Sequence, residues 1–350
     1  MSSKAIYVRT LKKVDFSVFA VADGQKSYFD PVFNRTVPFS SGQQVKRSII
    51  DAMAVHLGAM PAPTTFVFDV NKNGEIGEGE VFASCDPSFP DQLVGGWMKA
   101  GKGGKERTLK RRSPLSISAM RALHPQLATI NKENITFDRS DRPNSKVIVR
   151  DPQGNPLSEE EIVALLEGKD RSLFRKWIPG QTRATGLFLQ DVAIDLERLF
   201  CVSLNRYEPE ITEETEAKLR EAGWEEVNNR YYGKCLQAPA DMREKIADAL
   251  ARAITDWRIT SNQSRTFDVM TTLAIAVSDN AQLIGNAIRA KLVEDAEDKV
   301  IPVIDEGLAG VEFFVTPAAG AYAHVTNESA EAVSAAAEYL KKQIINAYSA

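Results

Sequence analysis

Histidine and cysteine are scarce in this chain, with three of each among 350 residues. Cys85, Cys201 and Cys235 lie far apart with no paired spacing, which argues against a zinc site or a disulfide framework and suits reduced thiols. His56, His124 and His324 have no second ligand at helical spacing, so packing or surface roles are expected of them. A Ser-His-Asp spacing, a glycine-rich nucleotide loop and an HExxH helix are missing too, and with them the common signatures of catalysis. No apolar run approaches a membrane span. The opening MSSKAIYVRTLKKVDFSVFAV carries charges where a secretory segment would be uninterrupted. The expectation is a cytoplasmic, non-enzymatic protein with no metal, no cofactor and no membrane partner.

What is present is an ordinary globular composition, 43% apolar, with a net charge of -4 that conceals strong segregation. Residues 99–121 read KAGKGGKERTLKRRSPLSISAMR, where Glu106 is the lone acid among Lys99, Lys102, Lys105, Arg107, Lys110, Arg111, Arg112 and Arg121. Residues 206–226, RYEPEITEETEAKLREAGWEE, are dominated by acids instead. A basic loop in an acidic protein is the footprint of a local phosphate-binding surface, and a merely solvated loop is its alternative.

Residues 69–80, DVNKNGEIGEGE, satisfy the EF-hand spelling through Asp69, Asn71, Asn73, Gly74 and Glu80. The flanks oppose it. Pro61 and Pro63 forbid an entering helix, Thr64 to Phe68 favour extended chain, and VFASCDPSFP is too broken by proline for an exit helix. Asn73-Gly74 is a strong turn signal between β-prone runs, so a plain hairpin is expected over a calcium loop.

Along the chain, Ile6, Val8, Phe16, Val18 and Ala20 alternate in a leading strand over 5–21, with a bend near Lys12-Lys13. A helix follows from Ser41, its cap, with Gln44 in the capping-box place and Gly58 as the stop. Val45, Ile49, Ala52, Met53 and His56 form its predicted buried stripe. The pattern is irregular from 61 to 183, apart from a short helix over 157–166, and a stretch of that length reads as an insertion with its own role. Strands are expected over 187–194, 267–277 and 311–315, and helices over 240–257, 281–298 and 328–347. That order suits an α+β fold of ferredoxin-like (RRM-like) topology. The aromatic RNA-stacking signature of the RRM is absent, so bases are not expected to stack on the sheet.

PFSSGQQVKRSI, residues 38–49, resembles the small-small-Gln-x-x-Lys-Arg helix start of the Cas-seven family, the repeated guide-RNA-binding backbone subunit of type I CRISPR Cascade complexes. AIYVRTLKKVDFSVFAVADG before it matches that family's leading strand and loop in layout. The resemblance implies a palm (1–60, 184–204 and 239–350 with a closing helix), a large fingers insertion (61–183) and a smaller thumb hairpin (205–238). It implies a non-catalytic protein that polymerises along CRISPR guide RNA for antiviral defence, presents the guide to target DNA, and contacts neighbouring copies and other Cascade subunits.

The residues support that implication. Gln43, Lys46 and Arg47 share one face at the start of a helix, where free amides and two cations favour a phosphate backbone. Ser41 and Gln44 complete this candidate site. A second candidate is the polar loop before a palm strand, with Asn262, Gln263, Ser264 and Arg265; a third is the fingers cluster Lys110, Arg111 and Arg112, near Lys105. In the thumb, Trp224, Tyr231 and Tyr232 are candidate anchors, and its acids would face the neighbouring copy. Relatives in type III complexes cleave target RNA through an Asp near the leading strand, so Asp23 and Asp30 are candidates for that alternative activity. Both also spell turns, Asp23-Gly24 and Asp30-Pro31.

Overall fold

The computed structural model describes residues 5–19, 25–101, 107–139, 144–259, 267–293 and 296–348. It is a mixed α/β structure built on antiparallel pairing. β1 (Ala5–Ser17) leads to the β2 (Ser27–Asp30) and β3 (Arg35–Ser40) hairpin, then α1 (Gly42–Leu57). β4 (Thr65–Val70) and β5 (Ile76–Phe82) form a hairpin, followed by α2 (Pro90–Gly95) and a second small hairpin, β6 (Trp97–Lys99) with β7 (Leu109–Arg111). Next come β8 (Leu115–Ile117), β9 (Met120–Ala122), β10 (Ala128–Asp138), α3 (Glu159–Leu166) and β11 (Arg175–Asp195). A three-stranded unit holds β12 (Cys201–Ser203), α4 (Glu213–Glu221), β13 (Glu225–Asn229) and β14 (Gly233–Gln237). The chain continues through α5 (Ala240–Thr255), β15 (Thr272–Ser278), α6 (Ala281–Ala287), the hairpin β16 (Ile288–Val293) and β17 (Ala296–Ile304), β18 (Glu312–Val315) and α7 (Ala332–Asn346).

The central sheet runs β18-β15-β1-β11-β9-β3-β2, and β8 and β10 also pair with β11. β1 is sandwiched, with Val8 opposite Val192 on one side and Val277 on the other. Its pairing with β15 slips between Leu11 and Lys12, where the sequence predicts a bend. Alternation sends Ile6, Val8 and Val14 to one face, where they meet Val45, Ile49 and Met53 of α1, Ile246, Leu250 and Ile254 of α5, and Leu340 and Ile344 of α7. Leu11, Leu187, Leu189 and Ala274 face the other way, onto Ile284, Ile288 and Ile304. Covering both faces explains why β15 is buried at every position.

Five expectations change. The leading strand expected over 5–21 ends at Ser17, and Phe16, which adopts a φ of 48°, is exposed instead of sharing the face of Ile6 and Val8; Ala20 lies outside the described residues. His56 is exposed and Ala52 only half-buried, so the α1 stripe narrows to Val45, Ile49 and Met53. The helix expected over 281–298 ends at Ala287, because Ile288 pairs with Ile304 and cross-strand burial outweighs the helical pattern. The strand expected over 267–277 begins at Thr272, after Met270 adopts a φ of 51°. The closing helix begins at Ala332 instead of 328, since Glu328 bridges to Val315. Within 61–183, β8 and β9 join the central sheet through β11, and their alternation of Leu115 with Ile117 and Met120 with Ala122 is the signal that the irregular surroundings hide.

Residues 69–80 are a hairpin, as the flanks predict. Asn71 Oδ1 accepts from the amides of Asn73 (2.9 Å) and Glu75 (3.0 Å), and Gly74 takes the left-handed φ of 80° that the turn requires. No helix among the described residues is long and apolar enough to cross a membrane.

Candidate nucleic-acid interface

The start of α1 is built as its sequence dictates. Ser41 caps it, its hydroxyl accepting from the Gln44 amide at 3.4 Å, and the Gln44 side-chain oxygen accepts from the Ser40 hydroxyl at 3.0 Å. Gly42 lies against the backbone linking β8 to β9; a Cβ there would stand 2.8 Å from the Ile117 carbonyl oxygen. The helix N terminus is therefore pressed onto the sheet, and Gln43 and Arg47 are the members of the predicted set left on its exposed side. Arg47 pairs with Asp51 at 2.9 Å, one turn on, while staying largely in solvent. Such a surface pair is weak and leaves the guanidinium available to a stronger anion.

Lys46 behaves differently. Its Nζ donates to the Gly95 carbonyl at 2.8 Å, at the C-terminal end of α2. Burial, and secondarily the nearby Arg111 cation, lower its pKa. Arg111 converges on the same helix end, donating to the Leu93 carbonyl, and reaches the carbonyls of Arg198 (2.8 Å) and Cys201 (3.2 Å). Its side chain is fully buried, lies over the Trp97 ring and faces Glu210 at 3.7 Å. Burial pushes its pKa down to about 10. Two cations at a helix C terminus complement its partial negative charge. Arg111 is thus an interior bracket and leaves the surface set.

The outward residues of this loop are Lys110 and Arg112, which flank Arg111 and alternate with it across the strand. Lys110 stands opposite the exposed Met98 in the β6–β7 hairpin. Because Lys46 and Arg111 both hold the α2 end, α2 ties the α1 start to this hairpin. Arg107 is exposed but donates to the carbonyls of Arg206 and Tyr207, both at 2.6 Å. With Lys99, Arg206 and Thr212 it lines a cavity of about 700 Å³ over Leu109 and Ile211. Lys102, Lys105, Asp23 and the loop residues Asn262, Gln263, Ser264 and Arg265 lie outside the described residues.

The acidic segment satisfies much of its charge internally. Glu210, 5% exposed, takes Arg198 at 2.7 Å and the Ser203 amide at 2.8 Å. Glu216 pairs with Arg206 and Arg220, and Glu226 with Arg220 and Lys234. Trp224 is buried, Tyr232 donates to Asp195 at 3.0 Å, and Tyr231 is exposed. Of the two aspartates weighed for cleavage, Asp30 closes a turn, its Oδ1 accepting from the Val32 and Phe33 amides at 3.0 Å each.

Sequence reasoning missed two charged groups. Arg9 makes a two-pronged pair with Asp191 (2.7 and 3.1 Å) and donates to the carbonyls of Gly285 and Ile288, pinning the end of α6 to the sheet. Lys12 is buried beneath Trp257, 5.1 Å from the ring, and donates to Thr272 Oγ1 at 2.9 Å. Burial lowers its pKa to about 8. A lysine on the core-facing phase of β1 was the available signal.

No protein-family model matches the sequence, and no curated protein matches it. Solved chains resemble it in fold along most of its length, two of them as follows. One belongs to a CRISPR RNA-guided surveillance complex, pre-nicking, with a TM-score of 0.47, 10% identity, and coverage of 97% of this chain and 89% of that one. The other belongs to a CRISPR RNA-guided surveillance complex, with a TM-score of 0.40, 11% identity, and coverage of 97% and 84%. Neither likeness assigns a role to any residue.

Proposed function

We propose that this chain is a non-catalytic backbone subunit of a CRISPR Cascade complex, holding guide RNA through its phosphates and presenting it for pairing with target DNA. The observation that carries the reading is the order of four strand positions, β15, β1, β11 and the broken pair β8/β9, with α1 and α5 packed on one face. Taken as β1, α1, β8/β9, β11, α5, β15, this is the split βαβ order of a ferredoxin-like palm. The second palm helix in this reading is α5, and β18 with α7 extends the sheet. The β10–β11 arm and the hairpins between α1 and β8 are the fingers; the β12-β14-β13 unit with α4 is the thumb.

Gln43, Arg47, Lys110 and Arg112 supply a sequence-independent phosphate surface, since phosphate contacts position a strand and base pairing specifies it. The engagement of Asp30 in its turn supports a structural role over cleavage of target RNA. Neighbouring copies and other Cascade subunits complete the assembly. The test is light scattering and nuclease protection with guide-length RNA. A multi-copy particle with periodic protection is expected. A chain that stays monomeric and leaves RNA unprotected, alone and when coexpressed with a guide and neighbouring genes, overturns the reading.

A further inference from the structure

Among the described residues the β4–β5 hairpin pairs with no other strand, and one of its sides carries exposed apolar residues. Phe66, Phe68 and Val70 alternate along β4, so they share one side; Val81, Glu78 and Ile76 stand opposite them in turn, with a register shift between Phe66 and Phe68, so one carboxylate sits within an otherwise apolar side. All five apolar residues are exposed, Phe66 by 64% and Ile76 by 76%. Two-stranded hairpins are marginal in water by themselves, and a cluster of exposed large apolar side chains on one marks an interaction surface. Glu78 lies within that side, and Asp69 and Glu75 stand nearby against Lys72, all exposed. That charge repels a phosphate backbone and selects a protein surface that is both apolar and cationic.

The chain displays such a surface elsewhere. At the far end of the β10–β11 arm, Phe137 stands opposite Lys176, and the Arg139 amide donates to the Phe174 carbonyl at 3.0 Å. Alternation places Phe137, Arg139, Phe174 and Lys176 on one side, and all four are exposed. The Asp138 carboxylate points to the opposite side, where it pairs with Arg175 at 2.8 Å. Lys176 makes no ion pair among the described residues.

We propose that the acidic apolar hairpin of one molecule docks on the cationic aromatic face of the β10–β11 arm of a second copy. The two surfaces differ, so the contact is head-to-tail and repeats from copy to copy. The proposal rests on the preceding reading only in that copies meet. It adds which surfaces meet.

The test compares sedimentation of the full chain with guide-length RNA and with an RNA short enough to hold one copy. Phe66→Ser/Phe68→Ser removes the hairpin face and Phe137→Ser/Lys176→Glu removes the arm face; all four residues are exposed, so the fold is expected to survive. Each variant alone is expected to weaken self-association at least tenfold while binding the short RNA as the wild type does. An equimolar mixture of the two retains one intact hairpin and one intact arm, so it is expected to form pairs that grow no further. Trp177→Ala, on the other side of the arm, is expected to leave assembly intact. The proposal is overturned if the wild type stays monomeric, if either variant assembles normally, if the mixture stays monomeric, or if Trp177→Ala disrupts assembly equally. Loss of short-RNA binding with the mixture result intact would instead overturn the RNA reading alone.

Discussion

The central sheet and the β4–β5 hairpin are both antiparallel and both rich in Val and Phe, yet their side chains meet opposite fates. In β15 every residue is buried, whereas in β4 only Val67 is even half-covered. The cations follow the same division. Lys12, Lys46 and Arg111 turn inward to brace the scaffold, while their sequence neighbours Arg47, Lys110 and Arg112 stay outside. Inward cations should therefore govern stability and outward ones binding.

The largest effect expected is from Arg111→Ala. It removes donors to three carbonyls and leaves Glu210 with Arg198 as its remaining cation. Breaking a buried charge cluster from one side costs about 3–5 kcal/mol. A loss of unfolding free energy, read from denaturant titration, of less than a quarter of that would show that Arg111 is not a bracket.

Lys12→Met should move stability the other way. The Lys12 pKa of about 8 lies below the ordinary 10.5, so between those values the unfolded chain holds more protons than the folded one and stability rises with pH. Below about pH 8 the cost of the buried cation is fully felt. Removing it should stabilise the protein at pH 7 by roughly 2 kcal/mol, after the loss of the Thr272 hydrogen bond is deducted. The gain should shrink as pH climbs from 8 to 10.5. A gap that is constant over that range would show that Lys12 holds its proton in the fold as firmly as in the unfolded chain, and that burial does not lower its pKa.

How much of this the sequence discloses depends on what pairs with what. Elements whose signal is local are legible: the Ser41 cap, the Val45, Ile49 and Met53 stripe, and the Asn73-Gly74 hairpin all form as expected. Elements decided by distant partners are not. Three residues suffice for β8 and β9 because β11 offers an edge, and 288–293 becomes a strand because 296–304 lies beside it. The candidate site at the start of α1 is half legible for the same reason. The spelling Gln43, Lys46, Arg47 gives a shared helix face, but only the position of α2 discloses that Lys46 is occupied by the Gly95 carbonyl.

Lys46→Ala sharpens the division between neighbours. It loses a helix-end contact and should cost about 1 kcal/mol of stability. The salt dependence of RNA binding should stay unchanged, because this ammonium faces α2. A flatter salt slope in Lys46→Ala would place it on the RNA instead.

The smallest effect on stability, within about 0.5 kcal/mol, is expected from Arg47→Ala/Lys110→Ala/Arg112→Ala, since these side chains are exposed and Arg47 loses only a surface ion pair. Their effect on binding should be the largest. Each cation that neutralises a phosphate of a single strand contributes about 0.7 to the slope of log affinity against log salt, so the triple variant should flatten that slope by roughly 2. Affinity should fall alike for unrelated RNA sequences, because phosphates carry no sequence information. A weakened variant with an unchanged slope would mean that these residues act through the protein's shape. A loss confined to certain sequences would mean that they read bases, which a holder of arbitrary guides cannot do.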